Sequence, residues 1–162
     1  MTRLVPRLDA EESAAWLSLV TLLELLPSAL DSQLQRDSGM THFEFAVLSF
    51  LRFSPDQTRR MTELAAGTNA TLPRLSHVVT RLERRGVVER VPCPEDRRAT
   101  NVRLTELGRR ELERATPGHI ALVRRVVIGS LSREQLAQLA EISNAISRAL
   151  DPDGRFGALL ES

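Results

Sequence analysis

Apolar residues recur through most of this chain at helical rather than strand spacing, and the breaks in that rhythm mark its organisation. Trp16, Leu19, Val20, Leu23 and Leu26 form one stripe while Leu17, Leu22 and Leu25 form another, which predicts a long helix over 9–36. A helix apolar on two faces has to be covered on two sides. Pro27 falls within it, and the missing N–H and the ring clash predict a kink or a restart there. Gly39 closes the segment, after which Thr41 and Glu44 form a Thr-x-x-Glu capping box opening a second helix through Phe45, Val47, Leu48 and Leu51. Residues 54–58, with Pro55, read as loop.

Two shorter helical pieces follow, 61–66 and 71–85, separated by Gly67, Thr68 and Asn69: helix, tight turn, helix. In the second, Thr71 caps, Pro73 is tolerated in the first turn, and Leu75, Val78, Val79 and Leu82 make the buried stripe. Arg74, His77, Arg81, Arg84 and Arg85 are left on the other faces, and Gly86 is placed to end the helix in a left-handed conformation. The period then shortens. Residues 87–91 are β-branched, 92–99 are turn-rich and polar, and 100–104 alternate, which predicts a β-hairpin with arginines at its tip. Thr105 starts a further helix that pauses at Pro117 and Gly118 and resumes through Ile120, Val123, Val126 and Val127. A Ser132/Gln135 capping box opens the last helix, with Leu139, Ile142, Ile146 and Leu150 at helical spacing, and the final dozen residues read as frayed.

Composition narrows the function classes. A chain of 162 residues with 42% apolar and 27% charged residues folds around its own core without staples, and Cys93 is its single cysteine. That excludes a disulfide scaffold and points to a reducing compartment, with a cytoplasmic protein as the simplest reading. No apolar run approaches the ~20 residues of a membrane span, so membrane-spanning functions drop out and no membrane partner is expected, and Asp9, Glu11 and Glu12 break the stretch where a signal-peptide core would lie. The formal net charge of +1 conceals an uneven distribution. Residues 1–58 carry 4 Arg and 8 acids, 59–103 carry 10 Arg and 5 acids, and 104–162 carry 8 of each. Every basic residue is arginine, whose guanidinium binds phosphate and guanine bidentately as an ammonium cannot.

The basic segment coincides with the helix-turn-helix and hairpin, which is the arrangement of a winged helix-turn-helix. Its second helix enters the major groove and its hairpin tip reaches the flanking backbone or minor groove. At this point the sequence resembles the MarR family of bacterial transcriptional regulators. The most specific stretch is DRRATNVRLTELG over 96–108, similar to the family's wing signature, preceded by MTELA over 61–65 and LPRLSHVVTRLERRGVVER over 72–90. The resemblance implies a mainly α fold with a small β-hairpin wing: an N-terminal dimerisation helix (1–38), a winged unit (40–104), C-terminal dimerisation helices (105–150) and a tail (151–162). It also implies a homodimer on double-stranded DNA, with half-sites ~34 Å apart. Pro73, Arg74 and His77 match base-contacting positions, and Thr71, Ser76 and Arg81 are candidates for phosphate contacts. Arg97 matches the wing-tip arginine, with Arg98 beside it, and Asp96 matches the carboxylate that holds a wing arginine. His77 stands where many relatives carry Arg, so the operator cannot be transferred from one of them.

The same resemblance implies a cleft for a phenolic or other anionic effector, for which Trp16, His42 and Phe45 are candidates. The competing readings are core packing for Trp16 and mere exposure beside a cap for His42, while His119 reads as a loop residue. Cys93, on a hairpin tip near Arg97 and Arg98, raises a redox alternative. No GxSxG, HExxH, P-loop or GxGxxG motif occurs, and the three His and one Cys lack ligand spacing, so neither catalysis nor a metal or other cofactor is expected. The alternatives to an effector-responsive repressor are a non-specific architectural DNA-binding protein and a helical interaction module that only kept a winged fold.

Overall fold

Side chains that bond back to the first free backbone N–H groups set most of the helix starts. Asp9, Thr41 and Ser132 close full capping boxes with Glu12, Glu44 and Gln135, and Thr71 and Thr105 each accept from the N–H three residues on. The computed structural model describes residues 7–94, 96, 98–154 and 156. Its helices are α1 (Ala10–Ser38), α2 (His42–Arg52), α3 (Met61–Gly67), α4 (Leu72–Arg84), α5 (Glu106–Val126) and α6 (Arg133–Leu150). Its strands are β1 (Thr58–Arg60), β2 (Val88–Pro92) and β3 (Thr100–Leu104), and short 3-10 turns lie at Pro55–Gln57 and Ile128–Ser130. The expectation of a frayed tail falls largely on residues outside those described.

Both prolines expected to interrupt helices sit inside them. α1 runs unbroken through Pro27, and α5 through Pro117. Each position is exposed, so water can take the backbone carbonyl that the missing N–H leaves free. Gly118 serves packing and not a break. A Cβ built there would lie 2.9 Å from Gln33 Nε2 and 3.1 Å from Asp37 Oδ2, so the bare Cα is what lets α5 approach α1.

The three strands form an antiparallel sheet ordered β1-β3-β2, with Thr58 opposite Arg103 and Val88 opposite Leu104. The sequence pattern predicts no strand at β1: the loop over 54–58 takes in Thr58, and Arg59 and Arg60 are given no element. The Thr-Arg-Arg sequence of β1 has no apolar alternation and is a strand only because it pairs with β3. One continuous core joins Val47, Leu48 and Leu51 of α2, Leu64 of α3, Leu75, Val79 and Leu82 of α4, and Val88, Val102 and Leu104 of the sheet. Leu112 of α5 joins the same core, so the winged unit closes within one chain with the start of α5 as part of its cover.

The flanking helices are not covered in the same way. Trp16, 53% exposed, lies with Leu17, Leu22, Leu23 and Leu25 on an uncovered surface of α1, and Ile142, Ile146 and Leu150 are exposed on α6. Core packing of Trp16 within one chain is thus corrected. So is the reading that no segment could span a bilayer. By length and composition α1 is apolar enough, an 18-residue window of it having mean hydropathy 1.5, because Ser18, Thr21 and Glu24 interrupt the apolar run without lowering that window's average much.

The LTELG stretch has a mechanical meaning. Thr105 Oγ1 donates to the Gly86 carbonyl at 2.7 Å and accepts from the Gly108 N–H at 3.1 Å, pinning the start of α5 to the end of α4. A Cβ on Gly108 would lie 2.0 Å from the Val87 carbonyl oxygen, a backbone atom that cannot rotate away. Gly108→Ala is therefore expected to cost about 3 kcal/mol, the upper range for overpacking, read as a lowered urea midpoint at unchanged m-value. An unchanged midpoint would show that α5 can lift off β2 freely.

Candidate nucleic-acid interface

At about 100° per residue, the side chains of α4 divide into four sectors. Leu75, Val78, Val79 and Leu82 fill the core. On one edge Arg74, Arg81 and Arg85 face α2. The Arg74 guanidinium lies 4.4 Å from the Phe43 ring centroid, Arg81 Nε donates to Glu44 Oε1 at 2.9 Å, and Arg85 Nη1 is 3.6 Å from that oxygen. On the other edge Ser76, Thr80 and Glu83 face the wing. Arg90 of β2 donates to the Ser76 carbonyl at 3.2 Å and to Thr80 Oγ1 at 3.0 Å, and pairs with the Glu83 carboxylate.

The fourth sector points away from the core and holds Pro73, His77 and Arg84, all exposed. His77 and Arg84 make no hydrogen bond or ion pair among the described residues. Arg84 was not singled out as a contact residue from sequence, although its position on the helical wheel opposite Leu75 is the signal that finds it. Thr71 sits at the exposed N-terminus of α4. Its oxygen accepts from the Arg74 N–H at 3.4 Å, which leaves the hydroxyl proton free to donate. Arg74 and Arg81, read from sequence as base and phosphate contacts, are each held by α2 and reach outward only with the guanidinium atoms that α2 does not use.

Between the starts of α3 and α4 and the wing lies a cavity of about 440 Å³, lined by Arg60, Ser76, Arg90, Asp96 and Arg98 among others. Asp96 Oδ1 accepts the backbone N–H of Arg98 at 3.0 Å, so this carboxylate shapes the wing turn through the main chain. Arg97 lies outside the described residues. Arg60, which the sequence did not flag, donates from Nη2 to Cys93 Sγ at 3.3 Å, and that contact raises the guanidinium pKa above its usual value. Cys93 is 6% exposed, which corrects the expectation of an accessible hairpin-tip thiol: the backbone after β2 turns it under Arg60.

A second cluster lies on the opposite side of α2. The His42 N–H donates to Asp31 Oδ1 of α1 at 2.8 Å, and its ring stacks on His119 of α5 with centroids 6.2 Å apart at 23°. The Phe45 ring lies 4.5 Å from His119. His119 is thus a helical residue facing this cluster and not a loop residue, and His42 is half-buried and partnered. His119 Nδ1 is buried without a hydrogen-bond partner. Trp16 is not part of this cluster within the chain. It precedes Asp31 by four helical turns, roughly 22 Å along α1. Among the described residues, no group of three His, Cys, Asp or Glu is placed to hold a metal ion.

Comparison with known proteins gives consistent results. A sequence profile described as the MarR family matches residues 38–99. The chain is similar to Sco3205 of Streptomyces coelicolor, a MarR family transcriptional regulator solved in complex with DNA. The identity is 43% over 89% of this chain and 94% of that one, with a TM-score of 0.86. It is similar also to AbsC, a MarR family regulator of the same organism, at 33% identity over 91% of this chain and 99% of that one, with a TM-score of 0.86. The HTH-type transcriptional repressor YetL of Bacillus subtilis is 30% identical over 65% of this chain and 68% of its own length.

Burial holds both imidazoles of the second cluster below the ordinary histidine pKa; Asp31 pulls His42 partly back up, and His42 pushes His119 further down. A histidine that binds its proton less readily when folded stabilises the fold fully above the unfolded pKa, near 6.5, and loses that contribution as pH falls. The urea midpoint should therefore drop between about pH 7.5 and about pH 5, and drop less in a His42→Gln/His119→Gln double variant. Equal acid losses in the two proteins would show that these histidines do not report on folding.

Proposed function

This chain belongs to the MarR family and is a transcriptional regulator, not an enzyme, and from that premise we propose that it is a repressor acting as a homodimer on a pseudo-palindromic operator, released by a small effector. The observation that carries the DNA reading is the outward sector of α4, where exposed His77 and Arg84 have no partner among the described residues, while Arg98 of the wing lines a cavity with Leu72 and Ser76 on the adjoining edge. With the core sector buried and both edges engaged by α2 and the wing, this sector is the one most open to base edges. Pro73 and His77 are assigned to base contacts with Arg84 beside them, and Arg74 to a base contact made from its seat on Phe43. Thr71, Ser76, Arg81, Arg97 and Arg98 are assigned to phosphates, and Asp96 to holding the wing turn. The DNA-bound state of the similar regulator Sco3205 supports the assignment of double-stranded DNA as partner.

The uncovered apolar surfaces of α1 and α6 support a second copy of the chain as their cover, since contiguous apolar surface on two long helices is costly in water. The repressor YetL supports the sign of regulation. The effector reading rests on the His42, Phe45 and His119 cluster, whose unpartnered Nδ1 offers one polar contact within an aromatic setting suited to a phenolic or anionic molecule. Such a molecule acts through unequal affinity for the DNA-competent and DNA-incompetent arrangements of the dimer. Operator and regulator meet in the cytoplasm.

Fluorescence anisotropy on upstream duplex DNA and a shuffled control, at several salt concentrations, tests the reading. Binding that favours the operator by at least ~10³ and weakens steeply with salt is the expected result. Equal binding to both duplexes would replace the repressor with an architectural protein, and no binding at low salt would leave an interaction module.

Substitutions separate the roles. Arg98→Ala should lower the salt slope by about 1 and weaken all sequences alike, whereas His77→Ala should cost about 1–3 kcal/mol on the operator and relax preference at one base position. Interchanged outcomes would reverse the assignment of wing and helix.

A further inference from the structure

We infer that the first turn of α2 carries displacement from the histidine cluster to the recognition helix α4, with Phe43 and Glu44 as the positioning residues. The inference deepens the DNA-binding reading above and rests on it. Four consecutive residues grip two different sets of neighbours. The His42 backbone N–H meets Asp31 of α1, and the His42 and Phe45 rings, one helical turn apart, meet His119 of α5. Phe43 and Glu44, between them, meet Arg74, Arg81 and Arg85 of α4.

The turn moves as one body. Thr41 accepts the Glu44 N–H at 3.1 Å and donates its own N–H to Glu44 Oε2 at 2.8 Å, so the carboxylate is locked to the backbone that also carries His42. Glu44 is 2% exposed. A carboxylate at that depth stays paired, so Arg81 and Arg85 follow it when it shifts. Arg85 also reaches Glu111 of α5 at 2.7 Å, which closes a ring of contacts through α2, α4 and α5. A change in the spacing of α1 and α5 at His119 therefore reaches α4 by two routes, through the turn of α2 and through Glu111. Packed elements of this kind shift between discrete arrangements and do not deform smoothly.

The test is a double-mutant cycle on operator affinity with His119→Ala and Glu44→Gln, at about pH 8 where the imidazoles stay neutral. Gln keeps the capping box, since its amide oxygen still accepts the Thr41 N–H, but it drops the charge that holds the two arginines. Each single change is expected to weaken binding about tenfold, and the double variant to fall within about twofold of the weaker single one. A multiplicative loss of about a hundredfold would overturn the relay, and it is what two independent structural lesions would give. Should Glu44→Gln fail to fold, Phe43→Leu takes its place in the cycle with the same criterion.

A second arm needs no DNA. In the free protein, the Arg81 Nε–Hε nitrogen-15 correlation, assigned with Arg81→Lys, should move in His119→Ala and stay in place in Arg110→Ala, a surface change on the same helix. An unmoved Arg81 signal in His119→Ala overturns the inference whether or not the protein binds DNA. A moved signal in a wild-type protein that binds no operator would instead sustain the relay and overturn the functional reading.

Discussion

A carboxylate buried as deeply as that of Glu44 has to be neutralised where it stands, and the geometry of the winged unit is arranged around that requirement. One oxygen takes the Thr41 N–H, and the other faces the guanidinium groups of Arg81 and Arg85, which are spaced four residues apart so that both project from one edge of α4. Arg81 and Arg85 are themselves partly exposed and share the carboxylate, so it is loss of both that would leave an uncompensated buried charge. The rotation of α4 about its own axis is thereby set by an electrostatic necessity. The apolar stripe alone would tolerate some rotation, since Leu75, Val78, Val79 and Leu82 span a broad arc. With the rotation set, Pro73, His77 and Arg84 have one direction left to face.

The wing side reinforces the same choice. Arg90 spans from β2 to the Ser76 carbonyl, the Thr80 hydroxyl and the Glu83 carboxylate, so α4 is held on both edges by arginine contacts of opposite polarity. On one edge the helix supplies the cations, and on the other it supplies the acceptors. Two of its basic residues are therefore structural before they can be functional. The high arginine content of 59–103 overstates the charge available to a partner, because Arg81, Arg85, Arg90 and Arg103 each face a carboxylate within the chain.

How much of this was legible in the sequence follows from how local each determinant is. The capping boxes at Thr41 and Ser132, the Thr71 cap, the left-handed Gly86 and the hairpin were readable because each is set within a few residues. Pro27 and Pro117 misled because the rule for proline describes the cost of the missing donor, not whether exposure lets water meet it. β1 was invisible because a strand of Thr-Arg-Arg is defined by its partner. Likewise the wheel of α4 separated its sectors, but only the tertiary structure shows that one edge meets Phe43 and Glu44 and the other Arg90. The His42–His119 contact depends on the approach of α5 to α1 at Gly118, and no spacing along the chain encodes it.

The division between a finished winged unit and unfinished flanking helices is the remaining physical fact. The winged unit closes its core within one chain, while the outer faces of α1 and α6 stay apolar and uncovered. Burying a large apolar side chain is worth roughly 1.5–3 kcal/mol, so the five large residues uncovered on α1 together offset a large part of an association cost of about 4–15 kcal/mol. In the proposed dimer, the platform is then the strongly coupled part and each winged unit a body attached through few contacts. The attachment points are Asp31 against His42, Glu111 against Arg85, His119 against Phe45, and Leu112 of α5 within the core of the winged unit. Two of these are polar contacts, which can exchange partners at lower cost than the buried Leu112 can repack. In the proposed dimer the polar contacts of Asp31 with His42 and of Glu111 with Arg85 are then the ones free to exchange, while Leu112 keeps the winged unit attached.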